Sequence, residues 1–197
     1  MRPVSMKPKS ACFPLRSGNL VRKLVSDQAS QLVEFAVSLP FLALVLVGIM
    51  DFGSAVGLKQ KLEIAVEQAA RVAANQTYSD ITNNLPKSTE AIRSAIVTNL
   101  NSIKVDDCGL STAVPVKAAL TWTYTANGCP GPLTLQINRG SPYQNPGNSP
   151  EWIEANRVAL SYPYQWSFGR VSRVVVPGST FVGPSQLTVE AVVPSLN

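Results

Sequence analysis

The chain has 197 residues, 45% of them hydrophobic and 15% charged, with 15 Pro and 12 Gly. That length holds one membrane-tethered or one soluble domain, not two large ones, and so little charge argues against a solvated, disordered chain. The sequence contains no His, which excludes His-based triads, His-ligated metal sites and His general bases.

The net charge of +5 sits at one end. Residues 1–29 hold Arg2, Lys7, Lys9, Arg16, Arg22 and Lys23 against Asp27, which accounts for the whole excess. A duplex binder needs positive charge on a folded face that tracks phosphates. A basic arm ahead of an apolar stretch is instead the asymmetry of a segment held on the cytoplasmic side of a membrane. Nucleic acid is therefore not an expected partner.

Residues 35–50, FAVSLPFLALVLVGIM, carry no charge. At helical rise they span about 24 Å, short of the ~30 Å hydrocarbon core, and including residues 51–58 brings the span to about 36 Å. The spacing predicts one helix from near Gln31 to Leu58, with Glu34 and Asp51 near opposite interfaces. A soluble core helix would have to be covered on every side, and the rest of the chain has few long apolar segments to do so. A cleaved secretory signal is the stronger alternative, but the apolar run starts late and IMDFGSAVG is a weak cleavage pattern. Pro40 lies inside this helix, where it has no N–H to give and crowds the Ala36 carbonyl. Glu34 reads as an interfacial carboxylate, cheaper there than at the bilayer centre.

The segment Ala29-Ser30-Gln31-Leu32-Val33-Glu34-Phe35-Ala36-Val37-Ser38-Leu39-Pro40 resembles the start of TadE-like proteins, pseudopilins of the tight-adherence (Flp-type) pilus systems. Gly48-Ile49-Met50-Asp51-Phe52-Gly53, the Ala-rich stretch 65–74 with Arg71, and LTVEAVV near the C-terminus look like the family's later pieces. The resemblance implies cleavage by a prepilin peptidase between Ala29 and Ser30, with Glu34 fifth and Phe35 sixth in the mature chain. Pilin leaders usually end in Gly, where this one has Ala29. The cut would remove the basic arm and create an α-amino group with a reference pKa of about 7.7 to 8.0. A neighbouring subunit's Glu34 could pair with that amine and set helix register. The implied domains are a basic cytoplasmic leader (1–29), a transmembrane helix (30–58) and an extracytoplasmic TadE-like α+β domain (59–197).

Beyond Leu58 the helix continues as an amphipathic one to about Gln76. Leu58, Leu62, Ala65, Val66, Ala69, Val72 and Ala73 recur at three- and four-residue steps, and Glu67–Arg71 forms an i,i+4 pair. Ser88 is the expected N-cap of a second helix over 89–103, and Asp106–Asp107 reads as a turn at its end. Strands are expected at 116–124, 133–138, 157–162, 173–176 and 186–193, with a solvated Pro/Gly/Asn loop at 139–150. Strands grouped after helices predict an α+β fold: a long pilin-like N-terminal helix, a short second helix and a mostly antiparallel sheet. Trp122, Trp152, Trp166, Tyr143, Tyr162 and Tyr164 are expected to fill the small core more than to line a groove. In an oxidising compartment Cys108 and Cys129 are expected to pair, while Cys12 stays reduced in the leader.

The expected function is a minor pseudopilin that helps prime or assemble a thin adhesive pilus. Its partners would be the lipid bilayer, prepilin peptidase and other pilins through helix packing, with no cofactor and no metal. The alternative is a membrane-anchored extracytoplasmic binding protein or adhesin that keeps its leader. No catalytic motif surrounds Asp80, Asp106, Asp107, Glu151 or Glu154, so enzymatic activity is not expected. The expected location is the cell membrane, single-pass, with the N-terminus cytoplasmic.

Overall fold

The computed structural model describes residues 18–144, 152–175, 178 and 185–195. Cys12 and loop residues 145–150 lie outside the described residues, as do the side chains of Tyr143 and Trp152. The chain divides into two units, residues 1–43 and 44–197. Helix α1, Gly18–Ala74, is continuous through both and carries Pro40 inside it. In the first unit it is the only described element, and none of its described side chains is buried.

The second unit holds the end of α1, then α2 (Lys87–Ser102), a 3-10 turn (Leu110–Thr112) and strands β1 (Pro115–Ala118), β2 (Thr121–Cys129), β3 (Gly131–Gln144) and β4 (Trp152–Pro163). Helix α3 (Phe168–Val175) and strand β5 (Gln186–Pro194) complete the described elements. The strands form one sheet in chain order, β1-β2-β3-β4-β5, each antiparallel to its neighbour. The architecture is α+β with a long apolar N-terminal helix, as the sequence predicts.

Strand periodicity builds the core. Every second residue of β2 to β4 points inward: Trp122, Tyr124 and Ala126, then Leu133, Leu135 and Ile137, then Val158, Leu160 and Tyr162. The register aligns them in rows, Trp122 opposite Ile137 and Leu135 opposite Leu160. Against these rows pack Leu62, Val66, Ala69, Ala70 and Ala73 of α1 and Ile92, Ile96 and Leu100 of α2. The face of α1 that joins the core is rich in alanine, and it is the one that carries the three- and four-residue spacing read from the sequence.

Four local expectations are corrected. The predicted strand 116–124 is two strands, because the chain reverses at Ala119 and Leu120; Ala119 takes a positive φ of 54°. Residues 173–176 are not a strand: Arg173 lies in α3, whose described helix ends at Val175, and Val176 lies outside the described residues. A β-branched run favours extension, but the Asp51 carboxylate accepts the backbone N–H of Phe168 (2.9 Å) at the start of α3 and so satisfies one of the amides a helix leaves free there. Ser88 is not the N-cap of α2. Pro86 occupies that position, and Ser88 lies within the helix, its N–H and hydroxyl both donating to Asp80 (2.8 Å each).

The fourth concerns 139–150, of which residues 139–144 belong to β3. Arg139 is fully buried there, donating to the carbonyls of Gln76 (2.8 Å) and Thr77 (3.1 Å), just past the end of α1, and to Asn156 Oδ1 (3.2 Å). Its guanidinium also lies 4.4 Å from the centre of the Tyr78 ring. With no acid beside it in these contacts, the buried cation is satisfied by carbonyl dipoles and the aromatic face.

Cys108 and Cys129 form a disulfide that closes a 21-residue separation, worth roughly 3 kcal/mol on the loop-entropy model. Gly128 lies against it: a Cβ there would come within 2.5 Å of the Cys108 carbonyl oxygen, which accepts the Gly128 N–H. Asp106 approaches both sulfurs, but sulfurs bonded to each other are not metal ligands. Asp107 caps the adjoining turn. Burial opposes ionisation of its carboxyl, but the N–H groups of Ser111 and Gly109 outweigh burial and hold it below the usual carboxylate range.

Candidate membrane helix and assembly site

The residues singled out from the sequence lie along the first part of α1. Ala29 and Ser30 are helical, and Ser30, Glu34 and Phe35 are exposed. Ser30 and Glu34 stand one turn apart on the same side of the helix. Pro40 is half-covered, and the helix continues past it.

Around and above these residues the helix is apolar on all sides. Phe35, Val37, Phe41, Leu42, Leu46, Ile49 and Met50 are all more than half exposed. The stretch Ser30–Ala74 contains an 18-residue window of mean hydropathy 2.4, none of it buried. A helix apolar all round and uncovered by the described residues suits hydrocarbon or other helices, not water. Such a surface is what single-pass anchoring requires.

The apolar band ends in a structured junction that reading the sequence did not find. Asp51, directly after the uncharged run, is buried. Its carboxylate accepts the Tyr164 hydroxyl (3.2 Å) and the Phe168 N–H, and its carbonyl also accepts the Tyr164 hydroxyl (3.1 Å). Burial, and then the Asp51 charge, push the Tyr164 phenol above its ordinary pKa. Tyr164 meets Trp166 edge to face at 5.0 Å. One turn before Asp51, a Cβ on Gly48 would touch the Phe168 ring at 3.4 Å. Nothing local could reveal these pairings, since more than a hundred residues separate the partners.

Sequence spacing could have found one further feature. Gly53 and Gly57 stand one turn apart on α1, and a Cβ on either would meet nothing within 4 Å. The fold of this chain does not require them, although each glycine costs a helix about 1 kcal/mol relative to alanine. Phe52, Val56 and Ile64 near them are also exposed.

Among the described residues these elements define one uncovered apolar helix, long enough to cross a membrane, that leads into an α+β domain. Residues 29–71 match the family model of TadE-like proteins, the family whose pieces the sequence resembles. The match starts at Ala29 and takes in the apolar run, Asp51 and most of the packed end of α1; it suggests a component associated with a Tad pilus. Neither a search of curated proteins nor one of solved structures finds a match.

Proposed function

We propose that the chain is a minor pseudopilin-like structural component of a tight-adherence (Flp-type) pilus or of its secretion machinery. A prepilin peptidase cuts between Ala29 and Ser30, which removes the basic leader (1–29). The helix (30–58) then holds the outer α+β domain (59–197) at the membrane until subunits pack through their helices. The new amine at Ser30 pairs with Glu34 of a neighbouring subunit, Phe35 and Pro40 shape the helix surface at that contact, and the N-terminus starts on the cytoplasmic side. The observation that carries this reading is the uncovered apolar helix coinciding with a family match that begins at Ala29. The open Gly53 and Gly57 face adds support, since small residues let the backbone of a neighbouring helix approach closely.

A second reading, an uncleaved membrane-anchored binding protein or adhesin, has one observation in its favour. α1 is helical through Ala29 and Ser30, and a protease must unwind a helix before it can cut. N-terminal sequencing of the protein from cells with and without prepilin peptidase separates the two. A mature start at Ser30 that depends on the peptidase is expected. A start at Met1 in both strains refutes the cleavage and favours the second reading. Glu34→Ala is expected to leave the helix in the membrane and abolish incorporation into the fibre.

A further inference from the structure

The junction at Asp51 implies more than an anchor. We propose that residues 164–173 form a second membrane contact, an interfacial ledge that lies on the bilayer at headgroup level and takes anionic phospholipid through Arg170 and Arg173. The inference rests on α1 spanning the bilayer.

Height along α1 carries the argument. Residues 35–50 are uncharged, so hydrocarbon reaches to about Met50. The Phe168 N–H is hydrogen-bonded to Asp51, the next residue, and the Phe168 ring lies against Gly48 inside the apolar run. Tyr164 is fixed to the same carboxylate and meets Trp166 edge to face. α3 therefore begins where α1 leaves the hydrocarbon, and the outer domain does not stand clear of the surface. An aromatic pair at that level matches the preference of Tyr and Trp for membrane–water interfaces.

The polarity of the ledge fits the same place. Gly169 and Ser172 of α3 are buried towards the protein, while Arg170 and Arg173, one turn apart, are exposed. The Arg173 Nε donates to the Gly169 carbonyl and an Arg170 nitrogen to Gln165 Oε1 (3.4 Å), so neither guanidinium meets a carboxylate in these contacts. Val47, Met50, Asp51, Ser54 and Ser167, the residue just before α3, line an open groove of about 330 Å³. Long basic side chains at this level reach up to phosphate while their stems remain in apolar surroundings. Asp51 would be an expensive charge at a membrane edge if bare; the donors from Tyr164 and Phe168 give it partners, which lets the ledge sit so low.

Full-length protein reconstituted into vesicles of phosphatidylcholine and phosphatidylglycerol tests this. Bromine atoms placed high on the acyl chains of one lipid or the other quench nearby tryptophan. Trp122 is buried in the core, and the difference between wild type and Trp166→Phe isolates Trp166. The expected result is a quenched component that disappears in Trp166→Phe and is larger with brominated phosphatidylglycerol. The double variant Arg170→Gln/Arg173→Gln is expected to lose that preference, about fivefold per arginine at the usual strength of a basic residue near an anionic surface. Vesicle flotation and circular dichroism check insertion and folding in the same samples. Protein that floats with Trp166 unquenched overturns the ledge and leaves the face to a protein neighbour. Equal quenching by both lipids, unchanged by the arginine variants, overturns the anionic contact. Folded protein that fails to float overturns the membrane reading itself, and the ledge with it.

Discussion

The two ends of α1 are built from similar letters and do opposite things. Over residues 30–50 large side chains such as Phe41 and Met50 stand 70% and 73% exposed, and nothing among the described residues covers them. From Leu62 to Ala74 the residues facing the sheet are mostly alanine and fully buried, while Glu63, Glu67 and Arg71 face outward. The first part is apolar in all directions, the pattern that apolar surroundings on every side would select. The upper part is apolar on one stripe because only one side meets the sheet. The difference shows that a helix's residue pattern records its surroundings more than its own stability.

The sharpest way to break this contrast is at the packed end. Arg139→Ala should destabilise the α+β domain by about 3 kcal/mol or more, because it leaves the Gln76 and Thr77 carbonyls without this donor, leaves Asn156 Oδ1 with the Tyr78 hydroxyl alone, and opens a cavity. Denaturant melts of detergent-solubilised protein, followed by near-UV circular dichroism, measure it, and membrane insertion should be unaffected. A paired substitution gives a smaller, cleaner comparison. Ala69→Leu adds bulk where exposure is 0% and should cost about 1–3 kcal/mol, whereas Ala43→Leu in the uncovered stretch should leave the same melt unchanged.

The smallest effect concerns alkaline pH. Tyr124 is buried and donates to Thr89 Oγ1 (3.2 Å) and Glu90 Oε1 (2.9 Å). Burial, together with the Glu90 contact, pushes its phenol well above the ordinary tyrosine range. The folded state thus keeps a proton that the unfolded chain releases near pH 10. Its contribution is complete below that pH and is lost as pH rises above it. Tyr124→Phe should cost about 1 kcal/mol at neutral pH and flatten the alkaline decline, read from melting temperature between pH 8 and about 11.

What the sequence disclosed follows from the range of the forces involved. The periodic face of α1, the strand segments inside β3, β4 and β5 and the Cys108–Cys129 pair depend on near neighbours or local composition, and each was legible. The family resemblance too was carried by a contiguous stretch. Misreadings fell where a distant partner decides the local shape. Ser88 looks like a cap until Asp80 takes both its donors, and Arg173 looks like strand until Asp51 nucleates a helix before it. Arg139 sat in a run of turn-formers, and only the end of α1, more than sixty residues earlier, explains why it is buried. The break at Ala119 had no glycine or asparagine to announce it, since an alanine holds the positive φ.

The sheet's spatial order has a consequence for how the domain is made. Each strand pairs with the one before it in the chain, so every hairpin can zip up soon after its second strand is available and no distant closure must come first. Low contact order of this kind favours quick folding, and the covalent link between Cys108 and Cys129 spans only the earliest part of the sheet. Were the chain threaded across a bilayer from its N-terminal end, its sheet would assemble in the order in which the strands emerge.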